Sequence, residues 1–340
     1  MSQQIHVAPV PWLSAEQTAA WHAVVSAAGR HDLPDRPTPS PKQVHAQLTT
    51  AGLDSHRLFW LATGTDSTVV GVAGLRLFTS PGQDHLAELE LHVHPDARRR
   101  GVGTQLLSTA AFAAQVERRR SMLTVTTGGT AGDAFCTARS FRRVMTLHQL
   151  LLPVAEADDT AADTEHPGYE LAGWTGTVPD HLAATFAAAK NAMNDMPTGD
   201  MDYGRVSWDA DRVRKMAQVL ADRGDTLLTL AALKGGTMGG YTEIVIRAGE
   251  TRRALQYDTA VVPAHRGHGL GLWLKATMLR TLKDTHPGIV EIETDNADDN
   301  THMLAVNRCL GFRPQQIVHE YQLDLPAPDH STRGASVCAD

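Results

Sequence analysis

Residues 258–274 read Asp-Thr-Ala-Val-Val-Pro-Ala-His-Arg-Gly-His-Gly-Leu-Gly-Leu-Trp-Leu. An alternating, β-branched run ends at Val262, Pro263 stops it, and a basic, glycine-dense turn passes directly into an apolar helical pattern at Leu270, Leu272 and Leu274. The stretch predicts a strand, an anion-binding loop and a helix. The first N–H groups of a helix have no partner inside it, and the helix dipole favours negative charge there. Gly267, Gly269 and Gly271 let backbone approach a phosphate without a Cβ in the way, and Arg266 can add a charge-assisted contact.

The same device occurs earlier in the chain. Val93-His94-Pro95-Asp96-Ala97-Arg98-Arg99-Arg100-Gly101-Val102-Gly103 aligns without a gap on residues 261–271, and both stretches contain Arg-x-x-Gly-x-Gly. Arg98 and Arg266 are 168 positions apart in a chain of 340, which reads as an internal duplication. A chain of this length exceeds what one core usually supports, so two domains are expected.

Arg-x-x-Gly-x-Gly between a strand ending in Val-x-Pro and an amphipathic helix resembles the acetyl-coenzyme A pyrophosphate loop of the GNAT (Gcn5-related) N-acetyltransferases. About 130 to 150 residues of each half can be laid on that pattern, which is similar to tandem-GNAT proteins of the mycothiol-synthase type. The resemblance implies an α/β (α+β) fold of two tandem GNAT domains, each a central mixed, mostly antiparallel sheet flanked by helices. The expected boundaries are an N-terminal domain over 1–153, a linker over 154–168, a C-terminal, catalytic domain over 169–325 and a disordered tail over 326–340. The linker assignment rests on Ala, Asp, Glu, Thr and Pro with almost no large apolar residue.

Periodicity and cap residues place strands at 5–10, 58–62, 69–78, 85–93 and 121–126, and helices at 15–28, 41–50, 103–118 and 130–140. A last strand or hairpin covers 141–152. The second copy repeats this: strands at 169–174, 226–233, 238–247, 253–262, 289–294 and 312–325, with helices at 179–191, 210–223, 270–283 and 300–310.

Acetyl transfer from a thioester to an amine needs the thioester beside the acceptor, a proton removed from the ammonium, and a donor for the developing oxyanion. By the resemblance, acetyl-CoA would be held by Arg266, Gly267, His268, Gly269, Leu270 and Gly271 in the second copy. Arg98, Arg99, Arg100, Gly101, Val102 and Gly103 would hold it in the first. Backbone of Val261, Val262 and Val93, on the splayed strand before each loop, would pair with the pantetheine arm. The proton acceptor is usually a carboxylate on this strand. Strand periodicity puts Glu88 and Glu90 on one face in the first copy, and Asp258, eight residues before Arg266, is the equivalent of Glu90. Asp258 and Glu90 are therefore candidate bases, or alternatively carboxylates that order the splayed strand.

GNAT enzymes often carry a tyrosine four residues before a Gly-Phe pair as thiolate acid; before Gly311-Phe312 that position is Asn307, and its first-copy counterpart is Cys136. Water or Tyr257 could substitute as acid. Asn296, Asn300 and Asn307 are spaced to meet at the late helix, either as coenzyme ligands or as a cap and exposed polar residues. Residues 191–202, Asn-Ala-Met-Asn-Asp-Met-Pro-Thr-Gly-Asp-Met-Asp, fall where GNAT proteins build the acceptor wall. Asp195, Asp200 and Asp202 would attract a cationic amine there and the methionines would form an adaptable bed, or else the loop is simply solvated and acidic.

Composition narrows the partners. The chain is 42% hydrophobic and 20% charged with a net charge of −7, which argues against nucleic acid. No apolar run approaches the roughly 18 residues that cross a bilayer, and the N-terminus lacks a signal pattern, so the expected location is the cytoplasm. Cys136, Cys309 and Cys338 form no zinc pattern and read as two buried small residues and a tail thiol, and no metal is expected. The function expected is an acetyl-CoA-dependent N-acetyltransferase, as a monomer or homodimer, acting on a primary amine of a small cationic metabolite or antibiotic. A non-catalytic acyl-CoA-binding or scaffolding protein is the alternative.

Overall fold

The computed structural model describes residues 5–326; most of the expected tail and Cys338 lie outside them. The first copy contains β1 (His6–Val10), α1 (Ala15–Asp32), α2 (Pro41–Thr49), β2 (Ser55–Thr63), β3 (Val69–Phe78), β4 (Leu86–Val93), α3 (Val102–Val116), β5 (Ser121–Thr127), α4 (Ala131–Ala138) and β6 (Arg142–Pro153). The second repeats it as β7 (Glu170–Thr175), α5 (Asp180–Lys190), α6 (Ala210–Asp222), β8 (Thr226–Lys234), β9 (Thr237–Ile246), β10 (Arg253–Val261), α7 (Leu270–Thr285), β11 (Glu291–Ala297), α8 (Thr301–Cys309) and β12 (Arg313–Asp324). Ser14 and Ser40 open α1 and α2 with full capping boxes.

The strands form one sheet in the order β1-β2-β3-β4-β5-β12-β6-β11-β10-β9-β8-β7. The last strand of each copy has crossed over. β12 lies between β5 and β6, and β6 pairs with β11, so each copy's sheet is completed by the other's final strand. The exchange carries core residues with it: Tyr321 and Leu325 pack in the first copy around Leu106 and Met122, while Leu150 and Leu152 pack in the second around Leu274 and Ile292.

Pairing is antiparallel except at β4/β5 and β10/β11, where it is parallel and brief. β4 matches β5 only from Leu86↔Ser121 to Glu88↔Leu123, and β10 matches β11 only from Arg253↔Glu291 to Leu255↔Glu293. Beyond these points each pair splays, and the β10 register on β9 also slips between Gln256 and Thr259. Unpaired backbone beside an opening is what an extended amide-bearing ligand requires.

Residues 154–168 differ from a free linker. They form short 3-10 turns over Val154–Glu156 and Thr160–Asp163 and are strapped to α7, because Arg280 binds Asp159 and Asp163, and Lys283 binds Asp159 at 2.7 Å. The acidic composition that suggests disorder is instead charge complement to one helix. Cys309 is exposed, contrary to the expected burial, whereas Cys136 is buried. No helix among the described residues is long and apolar enough to cross a membrane.

Candidate active site

The two Arg-x-x-Gly-x-Gly loops have the same geometry. Gly101 (φ 85°) and Gly269 (φ 73°) are left-handed N-caps of α3 and α7, and neither helix end receives a side-chain cap. Gly267 (φ 79°) is left-handed too, and its counterpart Arg99 takes the same conformation at φ 63°. No atom lies within 4 Å of where a Cβ would stand on Gly101 or Gly267. Open space in front of uncapped N–H groups fits a pyrophosphate.

The first turns behind those caps differ. A Cβ on Gly103 would meet the Phe135 ring of α4 at 3.3 Å, and Arg139 ties α4 to Thr104 of α3 at 2.7 Å. A Cβ on Gly271 would meet only Val261, at 3.8 Å. α4 thus stands against the first turn of α3, whereas at α7 the neighbour is at the cap, where a Cβ on Gly269 would meet the His166 ring at 3.6 Å and that ring lies 4.4 Å from Trp273. Val102 and Leu270 are core residues, buried under their helices.

The two arginines point elsewhere than at an anion. Arg98 makes a bidentate pair with Asp32, both bonds 2.7 Å, and donates to the Val93 carbonyl; Arg266 pairs with Asp195 at 2.7 Å and donates to the Val261 carbonyl. The repetition shows what they do: each pins its loop to its own strand and to the end of the copy's first helix, at Asp32 of α1 itself or at Asp195 in the turn that follows α5. Arg99 is exposed, and Arg100 has its own interactions. Val262 donates its N–H to Gly239, so the free edge of the splayed strand lies before it. His265 meets the Tyr169 hydroxyl at 2.8 Å, and His268 Nδ1 sits at the carbonyls of His265 and Arg266.

Asp258 stands at the β10 irregularity, partly exposed, with Lys190 Nζ at 2.8 Å and the Tyr241 hydroxyl at 3.4 Å. Lys190, at the end of α5, is fully buried and also binds Glu243 of β9 at 2.7 Å. The rings of Trp208, Tyr241 and Phe186 surround its ammonium at 4.9, 4.9 and 5.3 Å. Burial opposes its charge, but Asp258 and Glu243 outweigh burial and raise its pKa. Burial raises the pKa of Glu243, despite Lys190. Sequence reading passed over Lys190 and Glu243; the available signal was a carboxylate inside the apolar run Tyr241-Thr-Glu-Ile-Val-Ile. In the first copy Glu90 has no such lysine. It meets His92 at 3.3 Å, and although burial opposes the charge, His92 and Arg57 hold its pKa down.

Asn296 and Asn307 are brought together: Asn307 Nδ2 donates to Asn296 Oδ1, and both are buried. Among the described residues Asn307 Oδ1 has no hydrogen-bond partner. Asn300 caps α8, accepting from Met303 N–H at 3.2 Å. Asp195, Asp200 and Asp202 do not converge on an acceptor wall. Asp195 holds Arg266, the backbone of Asp200 bonds Val144 and Arg142 of the first copy, and Asp202 faces His85 at 3.3 Å and Arg120 at 3.9 Å. The connector crosses to the other half of the molecule, where its acids meet bases already present.

That crossing leaves a half-open cavity of about 420 Å³ between the copies. Its floor includes Glu88 of β4, Thr124 and Val125 of β5 and Glu320 of β12; α6 and residues 201–208 form the roof, and Tyr257 of β10 closes one side. Thr124 is the first β5 residue beyond the β4/β5 pairing, and Tyr257 lies just beyond the β10/β11 pairing. The cavity therefore adjoins both splayed openings.

The Acetyltransferase (GNAT) family pattern matches residues 21–141 and 193–312. A mycothiol acetyltransferase of Clavibacter sepedonicus is 30% identical over 323 residues, covering 93% of this chain and 94% of its own. One of Catenulispora acidiphila is 27% identical, covering 85% and 90%. Among solved structures, a tandem GNAT protein from the clavulanic acid biosynthesis pathway superposes with a TM-score of 0.79 at 23% identity, over 95% of this chain and 99% of that one. A GCN5-related N-acetyltransferase from Sphaerobacter thermophilus gives 0.68 at 16%, over 94% and 96%. The paired loops, the paired splayed strands and these likenesses agree: the chain belongs to the GNAT family of acetyltransferases and carries two copies of its fold in tandem.

Proposed function

We propose that the protein transfers an acetyl group from acetyl-CoA to the primary amine of a small molecule, with the coenzyme held by the second copy. The observation that carries this reading is the uncapped N-terminus of α7, with open space at Gly267, beside the splayed edge of β10. Acetyl-CoA, when bound, supplies an acetyl group activated as a thioester. The N–H groups of Leu270 and Gly271 and the loop around Gly267 and His268 would receive its pyrophosphate. Backbone of β10 before Val262 would receive the amide-bearing arm, and the orphan Oδ1 of Asn307 is an acceptor at the base of α8. First-copy residues Val93, Arg98 to Arg100 and Gly101 to Gly103 form the same loop with its helix flank covered, so the first copy serves mainly as structure and as one wall of the acceptor space.

Asp258 is the carboxylate of the reacting side. Lys190 fixes its orientation, and the acceptor's ammonium would give up its proton to Asp258 through water. Tyr257, whose pKa is raised by burial, stays protonated and able to donate. The relatives are named mycothiol acetyltransferases, and the cavity here, about 420 Å³, is of small-molecule size.

In a thiol-release assay with a panel of small primary amines, Asp258→Asn should lower kcat/KM about 10²- to 10⁴-fold and leave acetyl-CoA affinity within about threefold. Unchanged turnover in Asp258→Asn would remove its role. Lys190 already satisfies Asp258, which favours one second reading, coenzyme binding without turnover. Tight acetyl-CoA binding with no thiol release from any amine would select it.

A further inference from the structure

Four ionic groups in or beside the cavity between the copies are paired off, and two charges on its lining are not. Arg76 pairs with Glu88 at 3.4 Å, and Arg212 pairs with Asp54 at 2.7 Å. Glu320 of β12 and Arg223 at the end of α6 also line the space, and among the described residues neither side chain has a hydrogen-bond or ion-pair partner. Arg223 Nε is buried with nothing to donate to. Opposite charges left apart on the lining of one half-open cavity are satisfied by a ligand that carries both signs. The remaining wall is apolar and aromatic: Phe78, Met201, Tyr203, Trp208 and Met216.

We infer that this cavity is the acceptor site and that it takes a zwitterionic amine with an apolar body, such as an α-amino acid. The ammonium is bound by Glu320 and the anionic group by Arg223. The inference rests on the acetyltransferase reading for the word acceptor only; the charge pairing stands without it. Position supports it, since Thr124 and Tyr257 bring the cavity to the two splayed openings. Titration supports it as well. Burial first, then the carboxylates Glu88 of β4 and Asp295 of β11, push Glu320 up to about 7. The other charged or titratable groups around the space are Arg76, Arg212, Arg223, Tyr203 and Tyr257. A carboxylate in that state releases its proton when an ammonium docks on it.

The test is calorimetry on the intact chain without coenzyme, at pH 6.5, using L-phenylalanine, L-tryptophan and L-methionine. Phenethylamine and 3-phenylpropionate are the single-charge controls. At least one amino acid should bind about tenfold or more tightly than either control, with net proton release seen on changing the buffer's ionisation enthalpy. Glu320→Gln should abolish the proton release and weaken the amino acid about tenfold. Arg223→Gln should weaken the amino acid to the level of phenethylamine and leave phenethylamine itself unchanged. Binding of no amino acid, equal binding of phenethylamine, or proton release that survives Glu320→Gln would overturn the inference. Absent coenzyme, the result does not depend on whether acetyl transfer occurs, so failure of the acetyltransferase reading shows separately as absent thiol release.

Discussion

Lys190 holds two carboxylates, Glu243 and Asp258, inside a ring of aromatic side chains. Removing it leaves Glu243 buried without a counter-charge, so Lys190→Met should cost about 3–5 kcal/mol, measured by urea unfolding at pH 7. Lys275 is the contrasting case. It lies on the inner face of α7, 5.2 Å from the Phe312 ring, and burial lowers its pKa to about 7. Between pH 7 and the ordinary lysine range the unfolded chain binds a proton there that the folded chain does not, so stability rises with pH across that window. Lys275→Met should therefore stabilise the protein at pH 7 by an amount on the order of 2 kcal/mol. The gain over the native chain should shrink toward pH 10, as paired urea titrations would show; a gain independent of pH would mean the ammonium is solvated. Arg99 gives a smaller effect. As an arginine in a left-handed conformation it carries strain of roughly 1 kcal/mol, which Arg99→Gly should recover.

At the scale of elements, strand and helix positions were legible because each copy alternates clear period-2 and period-3.6 patterns between glycine and proline stops; β3 is found where the pattern puts it. What each terminal strand pairs with was not legible. β6 and β12 occupy equivalent places in the two copies, so pattern alone fits either sheet, and the exchange is seen only in the strand order. The same limit applies to the connector 191–205. Its acids were visible, but the bases they meet, Arg266, His85 and Arg120, come from distant positions. A chain ending at residue 160 would lack β12 and leave β5 and β6 with open edges and an unfilled slot for Tyr321 and Leu325. It should aggregate or unfold without a cooperative transition, and recover only when co-expressed with residues 161–340. A monomeric 1–160 fragment with a sharp transition in gel filtration and urea would show that the exchange is dispensable.

Across the whole molecule, the antiparallel junction of β6 with β12 relates the copies by an approximate twofold axis, so both connectors reach over the same sheet face. Arg36 of the first meets Glu293 at 2.7 Å, while the second meets His85 and Gln83. The duplicated loops were the part of the site the sequence could show, since backbone geometry is written in glycines. The acceptor space was beyond it, because residues from β3, β4, β5, α6, β10 and β12 meet only after the strands exchange. The coenzyme is where the two copies should part: a Cβ at Gly103 of α3 would press on Phe135, whereas one at Gly271 of α7 would touch only Val261. The direct test is to titrate acetyl-CoA by calorimetry into the intact protein and into Gly269→Glu and Gly101→Glu, each of which puts a side chain and a negative charge into one loop. One molecule of acetyl-CoA per chain is expected, with binding lost in Gly269→Glu and kept in Gly101→Glu; loss in Gly101→Glu alone, or no binding to the intact protein, would contradict a coenzyme site in the second copy.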